Sequence, residues 1–181
     1  CSRKFTENLG YPILRHILNS SGIVRFPNHQ YDMVRLGLGM YGIGAEQGLK
    51  LEKAHTLKSK ILQIKALAKG EATGYGRHAV AAHDMKIAII GIGYADGLFR
   101  SNGNGNYAVI IKGKSAPFFG NICMDVSIVD VTGVDHVKEG DEVTIFGMQH
   151  PIEALAECSG TIPYEILSRI AKRVKRIYIA D

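Results

Sequence analysis

The fold class follows from one stretch, His55-Thr56-Leu57-Lys58-Ser59-Lys60-Ile61-Leu62-Gln63-Ile64-Lys65-Ala66-Leu67. In it Leu57 and Ile61 interleave with Lys58 and Lys60, a pattern typical of a strand with one face in water. Further runs rich in Ile or Val, punctuated by Gly, Asn, Pro and Asp, follow at residues 85–92, 107–112, 126–131 and 142–146. Strands at such short spacing, with no helices between them, predict an antiparallel sandwich or barrel.

The adjoining stretch, Gly70-Glu71-Ala72-Thr73-Gly74-Tyr75-Gly76-Arg77, holds a tyrosine between two glycines. Glycine adopts backbone angles that other residues avoid, and it lets a ligand or another chain come close. A tyrosine that only fills a core usually lies in an apolar alternation. The pattern therefore favours a Tyr75 side chain that is presented to a ligand, with an aromatic plug at a hairpin as the alternative.

The segments before and after this β region include predicted helices. Residues 1–10 resemble the end of a helix with a glycine stop, and residues 13–20 a short strand. Two helices are expected at 152–158 and 163–172, the second with Pro163 in its first turn, and a last strand at 174–179. The change of character near residues 44–49 is the one plausible domain boundary.

Composition excludes several classes of protein. The hydrophobic fraction of 46% suits a globular chain with a real core, and no apolar run reaches the about 18 to 20 residues that span a bilayer. No signal peptide is recognisable, so we expect an intracellular, cytoplasmic protein. The net charge is +5, and the positively charged residues are scattered apart from the run 172–176. We interpret that run as a solvated face of a strand or helix, so no nucleic-acid partner is expected.

The three cysteines, Cys1, Cys123 and Cys158, show neither a C-x-x-C motif nor Cys/His ligand spacing. Neither a disulfide framework nor a metal site is therefore indicated, and free thiols are expected. Gly37 and Gly39 follow a strand-like segment and can offer backbone N–H groups, with a nearby hydroxyl, to a phosphate. They can equally be glycines that pack under a helix.

Seven segments in order carry a resemblance to a known family. The chain looks like the C-terminal part of alanine racemase, in which a (β/α)8 barrel that binds pyridoxal 5'-phosphate precedes a mainly β domain. The matching segments are residues 16–20, 31–42, 73–77, 92–100, 116–125, 140–146 and 161–165. The resemblance implies a mainly β fold: residues 1–44 as a short α/β remnant of the barrel, and 45–181 as the antiparallel β-sandwich or barrel-like C-terminal domain.

The resemblance also implies roles for individual residues. Tyr75 matches the catalytic tyrosine, which reaches into the active site of the other subunit of a homodimer. The positions that match cofactor-binding residues are Ser20, Arg35, Gly37, Leu38 and Tyr164. The positions that match residues around the substrate carboxylate and the narrow opening of the site are Tyr94, Arg100, Met124 and Ile162. Cys123 and Asp125 flank Met124, and Asn121 stands where some members have arginine, which leaves the opening less positive.

The expected function is that of a pyridoxal-phosphate-dependent racemase that interconverts L- and D-alanine for peptidoglycan synthesis. Racemisation requires two acid–base groups, since a single group returning the proton to one face regenerates the same enantiomer. The lysine that binds the cofactor covalently lies, in the family, before the segment that matches Cys1. The chain is therefore expected to be a fragment, inactive alone and without bound cofactor.

Three other hypotheses remain open at this point. The chain can be a free-standing β-barrel interaction module without chemistry, although such a module has no need of the phosphate-binding positions Ser20, Arg35 and Tyr164. It can belong to a racemase of another small amino acid, such as serine. The whole protein can also be a fusion with a cell-wall ligase.

Overall fold

The structure, a computed structural model, describes residues 11–44 and 49–179. The chain divides into two compact units, Cys1–His55 and Thr56–Asp181. The predicted helix end at residues 1–10 lies outside the described residues, as does residue 45, the first after the predicted domain boundary. That boundary stays a prediction.

The first unit contains one regular helix in its described part, α1 (Ser20–Arg25). Asn19 caps the helix, since its side chain accepts a hydrogen bond from the Gly22 amide at 3.0 Å. The segments before and beyond this helix run parallel and pair through an isolated bridge between His16 and Met33. The strand predicted over residues 13–20 is wrong, because only His16 pairs with another segment in a β-bridge and the chain enters a helix at Ser20.

The second unit contains eight strands within its described residues. They are β1 (Leu57–Leu67), β2 (Ala72–Thr73), β3 (Ala79–Val80), β4 (Met85–Ile90), β5 (Ala108–Ile111), β6 (Lys114–Pro117), β7 (Ser127–Asp130) and β8 (Glu142–Phe146). Six of them form a sheet in the order β6-β5-β8-β1-β4-β7, with antiparallel pairing throughout. Strands β2 and β3 form a separate antiparallel pair.

The two ends of the six-stranded sheet nearly meet. Phe118, just after β6, forms an antiparallel bridge with Val129 of β7, and the Phe119 amide donates to the Ile128 carbonyl at 2.8 Å. Register shifts occur in β1 on both of its edges, and such bulges increase the local twist that a curled sheet needs. The predicted mainly β, antiparallel barrel-like fold is therefore confirmed.

The core lies inside this curled sheet. Leu57 and Ile61 are buried while Lys58 and Lys60 are exposed, as their alternation predicts. Fully buried side chains from the other strands and from the segment after β6 complete the core: Ile87, Ile90, Val109, Ile111, Phe118, Val129 and Ile145. Burial of such aliphatic side chains is the main term that stabilises a domain of this kind.

Two helices pack next to one another after the sheet. These are α2 (Ile152–Cys158), which buries Ile152 and Leu155, and α3 (Pro163–Arg169), which buries Ile166. No helix within residues 11–44 and 49–179 has the length and hydropathy of a membrane span.

The C-terminal segment corrects two sequence predictions. Helix α3 ends at Arg169 and not at residue 172, because Ile170 leaves helical geometry and the Ala171 amide instead donates to the Asp96 carbonyl at 3.2 Å. The strand predicted over residues 174–179 is wrong. The Arg176 guanidinium donates to the backbone carbonyls of Ile170, Ala171 and Val174, which holds the start of this segment in a turn.

Candidate active site

Ser20 is the centre of a small cluster of polar groups in the first unit. Its hydroxyl oxygen accepts hydrogen bonds from the Gly37 amide at 2.9 Å and from the Gly39 amide at 3.2 Å. A Cβ added at Gly39 would lie 3.4 Å from the Ser20 oxygen and 3.0 Å from the Leu36 side chain, so the absence of a side chain keeps this space open. Backbone amides around a hydroxyl form the kind of cradle that binds a phosphate group.

Leu38 and Arg35 flank this cluster. Leu38 begins a short 3₁₀ turn, Leu38–Tyr41, directly after Gly37. Arg35 is exposed, its amide donates to the Leu18 carbonyl at 2.9 Å, and its Nη2 donates to the Ile17 carbonyl at 3.1 Å. The second bond orients the guanidinium, a group that donates hydrogen bonds and cannot accept a proton. The structure thus brings Ser20, Gly37 and Gly39 together, with Arg35 held at the end of the same paired segment.

Tyr75 stands on the turn between β2 and β3 in the second unit. Gly74 and Gly76 on either side have φ angles of 77° and 74°, in the left-handed region that glycine adopts readily. A Cβ at Gly76 would also lie 2.7 Å from the His78 ring, so a side chain there requires the ring to move. The turn leaves the Tyr75 side chain 85% exposed. The side chain is presented and does not plug the hairpin.

Tyr94 and Met124 lie on two segments that are joined backbone to backbone. The Tyr94 amide donates to the Cys123 carbonyl at 2.9 Å, and the Ala95 amide donates to the Met124 carbonyl at 3.0 Å. Gly93 makes this approach possible, because a Cβ there would lie 2.3 Å from the Met124 oxygen. Both side chains are exposed beside this joint.

A bridge of charges spans the same two segments. Arg173 Nε lies 2.7 Å from one oxygen of Asp96, and Arg173 Nη2 lies 2.7 Å from an oxygen of Asp125. The other oxygen of Asp96 accepts the Gly93 amide at 2.9 Å, and Asp96 is only 9% exposed. The hydrogen bonds from Arg173 to Asp96 and then to Asp125 raise the pKa of the guanidinium further above its usual value.

Arg100 begins another short turn, Arg100–Asn102, and is exposed. Asn102 at the end of this turn is fully buried; its oxygen accepts the Phe99 amide, and its nitrogen donates to the Ser159 hydroxyl, both at 2.9 Å. Ser159 immediately follows α2, on the way to Ile162. Asn102 therefore ties the turn that bears Arg100 to the segment that leads to Ile162.

Ile162 and Tyr164 lie at the start of α3, and both are exposed. Glu165 in the first turn accepts a hydrogen bond from the Thr161 hydroxyl and pairs with Arg169 at 3.0 Å. The Arg169 guanidinium in turn lies 4.6 Å from the centre of the Phe99 ring, within the range of a cation–π contact. These contacts fix the start of α3 relative to the Arg100 turn.

Sequence reasoning missed Arg173 and Asn102. Arg173 belongs to the basic run that was interpreted as a solvated face of a strand or helix; that interpretation is wrong for Arg173, which pairs with two carboxylates. No signal of period or spacing identifies the pairs of Arg173 with Asp96 and Asp125 or the pair of Asn102 with Ser159, because these partners lie far away in sequence. The thiols of Cys123 and Cys158 are free, as expected, while Cys1 lies outside the described residues.

Comparisons with family models cover nearly the whole chain. Residues 54–178 match the model described as alanine racemase, C-terminal domain, and residues 1–45 match the model of alanine racemase, N-terminal domain. The alanine racemase of Thermodesulfovibrio yellowstonii is 40% identical over 99% of this chain and 49% of its own length. The chain spans about half the length of the curated relatives that it matches.

Solved structures agree with these matches. Alanine racemase from Bacillus anthracis with bound L-Ala-P superposes with a TM-score of 0.90 and 32% identity, over 99% of this chain and 48% of that one. Alanine racemase from Bartonella henselae with covalently bound pyridoxal phosphate gives a TM-score of 0.85 and 33% identity, over 93% of this chain and 48% of that one. On this agreement of sequence and fold, the chain belongs to the alanine racemase family.

Proposed function

We propose that this chain supplies the catalytic tyrosine and part of the cofactor site of a pyridoxal-phosphate-dependent alanine racemase. The observation that carries the proposal is the presentation of Tyr75, whose side chain is 85% exposed on a turn that two left-handed glycines shape. A phenol offers one hydroxyl that can give or take a proton. The family match supports this role at this position.

The Ser20 cluster fits the phosphate group of the cofactor. The Ser20 hydroxyl has a hydrogen to donate while its oxygen accepts from the Gly37 and Gly39 amides, and the absence of a side chain at Gly39 leaves space beside it. We assign Ser20, Gly37 and Leu38 to the phosphate, with the Tyr164 phenol as a further donor. When bound, pyridoxal phosphate withdraws electrons from the Cα of an attached amino acid and so makes its proton removable.

Arg35 acts on the electronic character of that cofactor. It donates hydrogen bonds and cannot take part in proton exchange at neutral pH, so a ring nitrogen that faces it stays unprotonated. The ring then withdraws electrons less strongly than a protonated one. We infer that Arg35 limits the lifetime of negative charge at Cα, which favours prompt return of the proton and therefore racemisation over side reactions.

Tyr75 handles the proton on one face of Cα in this proposal. The opposite face belongs to a cofactor-binding lysine outside this chain, since none of the lysines here stands in the context that the family uses. A racemase needs one group on each face. We place Tyr75 in the active site of a partner subunit, which makes the functional protein a homodimer.

The residues around the opening select a small amino acid. Tyr94 and Met124 stand together at the backbone joint, and the Met124 amide is assigned to the substrate carboxylate. Arg100 and Ile162 contribute a positive charge and an apolar wall. We propose alanine as the substrate, D-alanine for peptidoglycan as the product, and the cytoplasm as the site of action.

The test uses the whole racemase, meaning the polypeptide that joins this chain to the remainder of the cofactor barrel. Tyr75→Phe removes the hydroxyl and little volume, so cofactor absorbance should persist. Exchange of the L-alanine Cα proton in deuterated water should fall by about 10²- to 10⁴-fold, the usual contribution of a general acid–base group. Exchange with D-alanine should fall much less, because its proton lies on the lysine face.

Tyr178→Phe is the matched control, because the Tyr178 side chain is 93% exposed and lies outside the proposed site. It should leave both exchange rates unchanged. Equal L-alanine exchange in Tyr75→Phe and wild type would refute the catalytic role. Faster exchange with L-serine than with L-alanine in the wild type would refute alanine as the substrate, and no exchange with either would favour the interaction module.

A further inference from the structure

The C-terminal basic run contains an arginine whose contacts differ from those of its neighbours. Lys172 and Lys175 are exposed, and Arg176 binds backbone carbonyls of its own segment. Arg173 instead forms ion pairs with two carboxylates that are distant in sequence, Asp96 and Asp125. A planar guanidinium can bind two acceptors at once in a fixed geometry, which a lysine ammonium cannot reproduce.

Asp96 is a rigid anchor for this guanidinium. It is nearly buried, its second oxygen accepts the Gly93 amide, and its carbonyl accepts the Ala171 amide at 3.2 Å. The Asp96 carboxylate thereby fixes the beginning of the turn that bears Tyr94. The carbonyl contact also brings the chain before Arg173 against the same turn.

Asp125 is the exposed end of the bridge and directly follows Met124. The backbone bonds from Tyr94 and Ala95 reach the carbonyls of Cys123 and Met124, and the Cys123 amide donates to the Val126 carbonyl at 3.1 Å, which closes a turn over Met124 and Asp125. Arg173 adds a side-chain contact to this turn, since its Nη2 lies 2.7 Å from an oxygen of Asp125. Loss of that contact leaves the backbone bonds alone to hold Met124 beside the Tyr94 turn.

We propose that Arg173 is a positioning residue that holds Met124 against the Tyr94 turn and so sets the affinity for the substrate carboxylate. The inference rests on the proposed function for its kinetic consequence. Arg173 touches neither substrate nor cofactor in this assignment. Its loss therefore weakens binding of ground state and transition state alike, which raises KM and leaves kcat nearly unchanged.

The kinetic test uses Arg173→Met in the whole racemase, with Lys172→Met as the matched control for loss of one positive charge in the same run. Arg173→Met should raise KM for alanine about tenfold, with kcat within about twofold of wild type. Lys172→Met should change neither parameter. Arg173→Lys keeps the positive charge but loses the planar group that binds both carboxylates at once. Its KM should lie between those of wild type and Arg173→Met.

Asp125→Ala tests whether Arg173 positions Met124 or only neutralises the charge of Asp125. This variant keeps the contact between Arg173 and the buried Asp96, so folding should be preserved. Positioning predicts that it raises KM as Arg173→Met does, and that the double variant shows little further effect. If Arg173 served only to neutralise Asp125, removal of that negative charge would lower KM for an anionic substrate instead. A lowered or unchanged KM in Asp125→Ala would overturn the proposal.

A readout independent of activity uses the two described cysteines. Cys123 is partly buried beside Met124, whereas Cys158 is exposed at the end of α2. In Arg173→Met and Asp125→Ala, alkylation of Cys123 measured by peptide mass spectrometry should accelerate severalfold relative to Cys158. Unchanged Cys123 reactivity in both variants refutes the positioning role of Arg173, whether or not the wild type is a racemase. If the wild type is inactive but the variants expose Cys123, only the proposed function is refuted.

Discussion

At the scale of single residues, the Ser20 hydroxyl accepts hydrogen bonds from the amides of Gly37 and Gly39, beside the phosphate position that we propose. Ser20→Ala removes this acceptor and one donor to the phosphate. A hydrogen bond to a charged group contributes about 1.5–3 kcal/mol, so affinity for pyridoxal phosphate in the whole racemase should fall about 10- to 100-fold. Dialysis followed by titration with the cofactor measures this loss.

Ser21→Ala, one residue further along α1, is the matched control for that prediction. It should leave cofactor affinity within about twofold, because the amides of Gly37 and Gly39 bond to Ser20. Equal affinities for the two variants would show that the phosphate lies elsewhere.

The ion pair between Arg15 and Asp32 gives the first unit a pH-dependent stability. Hydrogen bonds from Arg15 lower the pKa of Asp32 from 3.8 to about 2. Because the pKa is lower in the folded state, the pair stabilises that state above about pH 3.8, and its contribution disappears as the pH falls toward 2. Carbon-13 titration of the Asp32 carboxyl should give a midpoint near 2 in the wild type.

Arg15→Met supplies the comparison, since it removes the guanidinium but keeps an apolar stem. The Asp32 midpoint should return toward 3.8 in this variant. A wild-type midpoint that already lies at the ordinary value would contradict the pairing.

At the scale of elements, Asn102 connects the Arg100 turn to the end of α2. Asn102→Ala leaves the Phe99 amide and the Ser159 hydroxyl without this partner and opens a small cavity, at a cost of about 2–3 kcal/mol in the free energy of unfolding. Asn106→Ala removes an exposed hydrogen bond to the Ser101 carbonyl in the same loop and should cost under about 1 kcal/mol. Urea unfolding measures both values, and equal costs would contradict a structural role for Asn102.

The long strands were predictable from sequence, but the short ones were not. Alternation and clusters of Ile or Val located β1, β4, β5, β7 and β8 within a few residues of their ends. Strands β2 and β3 have two residues each, too few for any period to appear. Strand β6, Lys114–Pro117, buries only Ala116 and ends in proline, so it lacks both the composition and the pattern of a strand.

The turns of the candidate site could be predicted from their glycines, but the side-chain contacts that hold these turns in place could not be predicted from the sequence. Glycines beside Tyr75 and before Tyr94 mark backbone that other residues adopt rarely, and the structure shows the reason in the left-handed φ angles of Gly74 and Gly76 and in the close backbone contact at Gly93. Arg173 lies 77 positions from its partner Asp96, and Asn102 lies 57 positions from its partner Ser159. Only the folded topology reveals such pairs.

At the scale of the whole molecule, we expect the chain alone to be catalytically inactive. In the proposed function its polar groups act on one face of Cα and on part of the phosphate site, and the lysine of the other face is assigned to sequence outside it. The purified chain, mixed with pyridoxal phosphate and freed of excess, should show no yellow Schiff-base absorbance and no racemisation of L-alanine. The whole racemase under the same treatment is the positive control. Stoichiometric absorbance from the chain alone would contradict this assignment.

The position of β1 in the middle of the sheet has a consequence for synthesis on the ribosome. Strand β4 follows soon after β1 in sequence and covers one of its edges, but the other edge stays open until β8, the last strand of the sheet in sequence, is synthesised. An open edge invites association with other nascent chains, and lysines along it discourage such pairing. We expect Lys58 to protect this edge until β8 is synthesised; in the folded chain its Nζ lies 2.8 Å from an oxygen of Glu142.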